Sequence, residues 1–262
     1  MLFDFDATMN EDEIHDMIGA MLRKETMQFN SSLTRLYQNQ ELAIEQRNWM
    51  LKWSFKLIDF NQFSKEIVAV TFSNLDRFLL TKHGHLVIND KTLFLLAAFG
   101  SLSIAIKMLA SRKPYLGFSD NLSNGLFPSQ DIVQMENIIM NALQWNLNPP
   151  TVFSFIELFV ELLHRKYKIN NKNNFKDYLF VQAEKVLSDT RILNIRPSII
   201  AAALILSSIK STEHLLRAQK SFSDFPFFYN IVPKIINRKR NLERKISYRE
   251  KIKRVKREGE TE

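Results

Sequence analysis

Lys91-Thr-Leu-Phe-Leu-Leu-Ala-Ala-Phe-Gly-Ser-Leu-Ser-Ile-Ala-Ile-Lys-Met-Leu109 presents apolar residues on nearly every side of a helical projection. A helix without a polar face has to be surrounded by other elements, so this stretch is expected at the centre of a helical core. Its apolar run Leu93–Ile106 is 14 residues and the next, Ile199–Ile209, is 11. Both fall short of the roughly 20 residues that span a bilayer, so no membrane segment is expected.

Upstream, Lys82-His-Gly-His-Leu-Val-Ile-Asn-Asp90 interrupts the pattern and reads as a loop whose Asn89 or Asp90 caps the central helix. Before it, Lys65–Leu80 carries Ile67, Val68, Val70, Phe72, Leu75, Phe78 and Leu79, and Gln40–Phe60 runs without glycine or proline; each predicts a helix. Asn10–Phe29 opens with an N-cap asparagine and Glu13 three residues on, the pattern of a capping box ahead of an amphipathic helix. Downstream, a loop holding Pro114, Gly117, Gly125 and Pro128 leads to Ser129, read as the N-cap of a helix through Leu143. After a linker at Asn146–Pro150, Thr151 is expected to cap a helix to about Leu163, and Asn170–Asn174 to form a polar loop. Phe175–Ser188 and Ile199–Ile209 then read as helices, with a further one over Thr212–Lys220. Runs of β-branched alternation between hairpin turns are missing, so the fold class is all-α, with two helical subdomains joined near Asn148–Pro150.

Composition supports packed helices: six glycines and seven prolines in 262 residues leave few tight turns, and 21 phenylalanines supply apolar surface. The chain has no cysteine, which excludes disulfides, thiol nucleophiles and thiolate metal sites. The opening Met1-Leu-Phe-Asp-Phe-Asp6 has neither the basic flank nor the apolar stretch of a secretory signal, so no export is expected. No glycine-rich phosphate cradle, His-Glu-x-x-His helix or nucleophile elbow occurs. His83 and His85 read as an exposed pair rather than metal ligands, and Glu157 and Glu161, four apart, as one solvated helix face rather than an acid–base pair. No catalytic constellation, cofactor or metal is expected.

Charge is unevenly spread. Residues 234–257 hold twelve Lys and Arg against two Glu, whereas residues 1–233 hold 24 basic and 23 acidic residues. A nearly neutral body argues against nucleic acid spread over the folded surface. The tail, with Arg238, Lys239 and Arg240 and then Lys253, Arg254, Lys256 and Arg257, reads as a nuclear-import signal, a solvated extension or a nucleic-acid contact.

Several helix fragments together resemble the cyclin box. Arg47 and Trp53 in Gln46-Arg-Asn-Trp-Met-Leu-Lys-Trp53 resemble the first-helix signature of cyclins, and Leu75-Asp-Arg-Phe-Leu79 matches the signature that runs from the second helix to the third. Ala105-Ile-Lys107 resembles the end of the buried third helix, and Met135-Glu136 with Leu143-Gln-Trp-Asn-Leu147 the fifth helix and its exit. Thr151, Phe155 and Phe159 fit the start of a second box, and Met17–Phe29, with Leu22, Glu25 and Phe29, looks like the N-terminal helix of D-type cyclins.

The resemblance implies two tandem cyclin boxes of about five helices each: an N-terminal helix and lead (1–30), a first box (31–148), a second box-like domain (149–232) and a basic tail (233–262). It implies that Lys107 and Glu136 pair on a surface facing a cyclin-dependent protein kinase; from the sequence alone Lys107 is also an ordinary C-terminal helix cation. It implies that Arg47 pairs with Asp76 to tie the first helix to the second, where periodicity alone leaves Asp76 either buried or exposed. Gln46, Trp49, Met50 and Trp53 fall where cyclins build or support a docking patch for Arg-x-Leu motifs. The pattern departs there: Gln46 replaces a methionine, and Lys56 stands where a glutamate would meet the motif's arginine, so such docking is not expected and Trp53 reads as core. Met108-Leu-Ala110 replaces an acidic pair that often follows the lysine, and a Leu-x-Cys-x-Glu motif is impossible without cysteine.

The function so implied is that of a non-enzymatic regulatory subunit which activates a cyclin-dependent kinase, present in nucleus and cytoplasm, with an import receptor as a further partner. The alternative is a cyclin-fold transcription or scaffold protein that works without a kinase.

Overall fold

Asp90 starts the central helix: its carboxylate accepts the backbone amides of Thr92 at 2.8 Å and Leu93 at 3.0 Å. The computed structural model describes residues 10–29, 32–38, 40–110, 122–169, 171–209 and 222. Along them run α1 (Glu11–Gln28), α2 (Leu33–Tyr37), α3 (Glu41–Phe60), α4 (Glu66–Leu79), α5 (Gly84–Val87), α6 (Lys91–Leu109), α7 (Ser129–Ala142), α8 (Val152–Tyr167), α9 (Lys172–Leu187), a 3₁₀ turn at Thr190–Ile192, and α10 (Pro197–Ser208). No strand occurs among the described residues. The fold is all-α, as the helical periodicities imply.

Helix α6 packs against α3, α4, α5 and α7. Its Phe94, Ala97, Ala98, Phe99, Leu102, Ala105 and Ile106 are sealed from solvent. Nineteen residues long, with a mean hydropathy of 1.9, α6 is long and apolar enough to cross a bilayer by length and composition, beyond what its 14-residue run suggested. Its apolarity has another use here, because 61 % of it is buried inside the protein. Gly100 permits the close approach of α7: a Cβ at that position would lie 3.1 Å from Met135 Cγ and 3.3 Å from Ile139 Cδ1.

The capping box of α1 forms as read, with Glu13 N donating to Asn10 Oδ1 at 2.9 Å and Asn10 N to Glu13 Oε2 at 2.8 Å. Ile14 and Ile18 are buried on the helix, which packs against α8. Thr151 caps α8, its hydroxyl accepting the Ser154 amide.

Several boundaries differ from expectation. The stretch read as the loop Lys82–Asp90 contains α5, and Gly84 is required at its start because a Cβ there would sit 2.1 Å from the Phe78 carbonyl oxygen. Leu33–Tyr37 forms an unforeseen turn of helix. Pro128, not Ser129, is the N-cap of α7, which leaves Ser129 in the first turn. The expected polar loop at Asn170–Asn174 is shortened, because α9 begins at Lys172. Pro197 occupies the first position of α10, where its missing N–H has no helical partner to lose.

The described residues up to Ala201 belong to one compact unit, and those from Ala202 on to a second. The linker Asn146–Pro150 lies within the first unit. The helix expected over Thr212–Lys220, most of the loop carrying Pro114 and Gly117, and the basic tail lie outside the described residues.

Candidate functional site

Glu136 sits in the middle of α7 with its side chain 7 % exposed, and Lys107 in the last turn of α6 reaches over it. The Lys107 ammonium donates to Glu136 Oε1 at 2.7 Å and Oε2 at 2.8 Å, so one half-exposed cation holds both oxygens of a buried carboxylate. Two features place it there: the close α6–α7 contact at Gly100, and the end of α6, where the helix dipole favours a cation. Met108, next to Lys107, and Val133, one turn before Glu136, are exposed apolar neighbours. The result is a charge pair at the surface with exposed apolar neighbours on both helices.

Arg47 and Asp76 meet beneath the surface, their side chains 4 % and 5 % exposed. Arg47 donates from Nε to Asp76 Oδ1 at 3.0 Å and from Nη2 to Oδ2 at 2.8 Å, which clamps α3 to α4. A third partner was not legible in the sequence: the Tyr37 hydroxyl donates to Asp76 Oδ1 at 2.7 Å. The guanidinium lies over the Phe72 ring, 5.1 Å from its centroid. Burial works against the Arg47 charge, but the Asp76 carboxylate outweighs it and raises the pKa; burial, aided by Asp76, also pushes the Tyr37 phenol up.

The four residues of the expected patch on α3 separate. Met50 is fully buried and Gln46 nearly so, whereas Trp49 is 51 % exposed. Trp53 is half-buried, stacked on Trp49 at 6.4 Å and edge-on to Phe99 at 5.3 Å, so it supports the patch from the core side. Gln46 and Trp49 line a groove of about 590 Å³ together with Leu42, Glu45, Lys91 and Leu95. Met50 and Lys56 are not part of its wall; Glu45, unremarked in the sequence, is.

The reading of Glu157 and Glu161 as one solvated face is corrected. Glu161 is 4 % exposed, and its carboxylate is held by Arg165 Nε at 2.8 Å and Lys172 Nζ at 2.7 Å. Burial favours its neutral form, but these hydrogen bonds outweigh that and lower its pKa. Glu157 is half-buried, with burial raising its pKa against the opposing charge of Lys176, 3.7 Å away. His83 and His85 are exposed.

Two further buried carboxylates fix helix starts. Glu25, on α1, accepts the Ser198 amide at 2.8 Å and its hydroxyl at 2.7 Å, in the first turn of α10. Glu66, in the first turn of α4, accepts the hydroxyl of Thr151. Of the import candidates, Arg238, Lys239, Arg240, Lys253, Arg254, Lys256 and Arg257 all lie outside the described residues.

Residues 16–148 match the family model of the cyclin N-terminal domain. Cyclin-D3-3 of Arabidopsis thaliana is 24 % identical over 211 residues, which cover 80 % of this chain and 55 % of the relative. G1/S-specific cyclin-E1 of Gallus gallus is 30 % identical over 156 residues, 59 % of this chain and 37 % of the relative. The chain thus spans about half or less of the length of these curated relatives. In architecture it is similar to a viral cyclin from herpesvirus saimiri, with a TM-score of 0.56 and 17 % identity over 78 % of this chain and 94 % of that one.

Proposed function

The chain belongs to the cyclin family, and on that premise we propose that it is the regulatory subunit of a cyclin-dependent protein kinase in cell-cycle control. The observation that carries this reading is the Lys107–Glu136 clasp, a half-exposed charge pair with apolar neighbours at the junction of α6 and α7. A kinase is active when its regulatory helix brings a glutamate to the ATP-coordinating lysine and its activation loop is ordered. A rigid surface that binds only the inward position of that helix shifts the kinase toward the active state by its differential affinity. Moving the balance from about 1:99 to 99:1 requires roughly 5.5 kcal/mol of such preference.

On this reading the chain itself performs no catalysis. The Arg47–Asp76 clamp positions α3 and α4 around α6 and does not touch the kinase. The basic tail serves import, so the protein is shared between nucleus and cytoplasm.

The test is affinity purification of the intact chain and of a Lys107→Ala/Glu136→Ala variant with the same helical content. One protein kinase is expected to co-elute stoichiometrically with the intact chain, to phosphorylate only in its presence, and to be lost from the variant. Equal recovery with both proteins would remove the clasp from the interface. Salt-sensitive DNA binding without any kinase would instead favour action as a transcription protein.

A further inference from the structure

A cavity of about 120 Å³ is walled by the apolar side chains of Leu51, Ala69, Phe72, Val152 and Ile200. Its wall also carries three ionised residues, Arg47, Asp76 and Arg77. Asp76 is fully engaged by Arg47 and the Tyr37 hydroxyl. The cations are not. Arg47 Nη1 is buried and has no hydrogen-bond partner among the described residues. Arg77 gives Nη1 to Asn74 Oδ1 at 3.3 Å and Nη2 to the Asn146 carbonyl at 2.6 Å, and it forms no ion pair among the described residues. Burial without a carboxylate partner lowers its pKa. Among the described residues, two cations and one anion leave one positive charge on the wall without a counter-ion.

Buried donors without acceptors are uncommon in folded proteins, and a half-buried guanidinium without a counter-charge is costly. The cavity volume is close to that of cavities that take a single aromatic ring, and because the pocket is half open at the surface a ligand can enter it. We propose that this cavity binds a small monocarboxylate with an apolar body of single-ring size, its carboxylate held by Arg77 with Arg47 Nη1 as the second donor. A phosphate would meet walls too apolar to replace its hydration, and a neutral apolar body would leave both donors as they are. The inference rests on the cavity and its charge alone and does not require a kinase.

The test is calorimetric titration of the full chain with benzoate, and with benzamide as its neutral isostere. Benzoate is expected to bind saturably, and both benzamide binding and benzoate binding to Arg77→Gln to be at least about tenfold weaker. Because Arg77→Gln also loses the hydrogen bond to Asn146, a second variant, Ala69→Leu, fills the cavity and leaves both guanidiniums in place. It is expected to lose benzoate binding while keeping its melting temperature. Absence of saturable benzoate binding, equal affinity for benzamide, or unchanged binding in a folded Ala69→Leu would each overturn the proposal.

Discussion

Glu66 Oε2 accepts the hydroxyl of Thr151 at 2.5 Å, joining the first turn of α4 to the N-cap of α8. Glu66 is 2 % exposed, and burial pushes its pKa up to about 8, with the Thr151 hydrogen bond opposing and Glu157 adding repulsion. In the unfolded chain the same group titrates near 4.5. Between these values the folded state holds a proton that the unfolded state has lost, so stability is greatest below the lower value and declines as pH rises toward 8. Urea midpoints measured across that window should fall with pH in the parent and be flatter in Glu66→Gln, whose amide oxygen still accepts from Thr151. Parallel slopes in the two proteins would show that Glu66 is ionised throughout.

Removing Asp76 strands a buried guanidinium. Asp76→Ala should cost about 3–5 kcal/mol in a denaturant titration, as for other buried pairs broken on one side. The double replacement Arg47→Met/Asp76→Leu should cost much less, because neither charge is left alone. A double variant no more stable than the single one would mean that the clamp acts through shape rather than charge.

The two residues of the outer clasp should respond unequally. Lys107→Ala leaves the buried Glu136 carboxylate without its cation and should lower stability by about 1–3 kcal/mol. Glu136→Ala leaves a half-exposed ammonium that solvent can accept, and the loss should stay below about 1 kcal/mol, the usual range for exposed pairs. Thermal melts of the two single variants decide the matter; the reverse order would place the desolvation cost on Lys107.

Gly84 tolerates no side chain, since a Cβ would sit 2.1 Å from the Phe78 carbonyl oxygen and 2.4 Å from Leu79 Cα. Both obstacles are backbone, so relief requires α5 to move off the end of α4. Gly84→Ala should destabilise by about 1–3 kcal/mol, the range of overpacked sites, although alanine is the better helix former. A neutral result in chemical denaturation would contradict the tight α4–α5 approach.

The long helices were legible in the sequence because each carries a periodic apolar face or, in α6, no polar face at all. Helices α2 and α5 were not: five and four residues cannot hold a helix by local preference, and their conformation follows from what they pack against. Pairs joined by long-range contacts were legible only through family likeness. Arg47 and Asp76 are 29 residues apart, as are Lys107 and Glu136, and no helical spacing connects them. Tyr37 and the Glu66–Thr151 link escaped for the same reason, having neither pattern nor likeness to announce them. Glu161 is different, because a local cue existed: Arg165 lies one helical turn beyond it, a spacing that already supplied a counter-ion.

Gly100 lies two turns before Lys107 on the same face of α6, and the space above it is taken by Met135, the immediate neighbour of Glu136. One absent methyl group therefore leaves the room that the Met135 and Ile139 side chains occupy between the two rods. A methyl group there would press on the Met135 and Ile139 side chains from 3.1 and 3.3 Å, so the residue beside Glu136 would have to give before the outward charge pair felt the change.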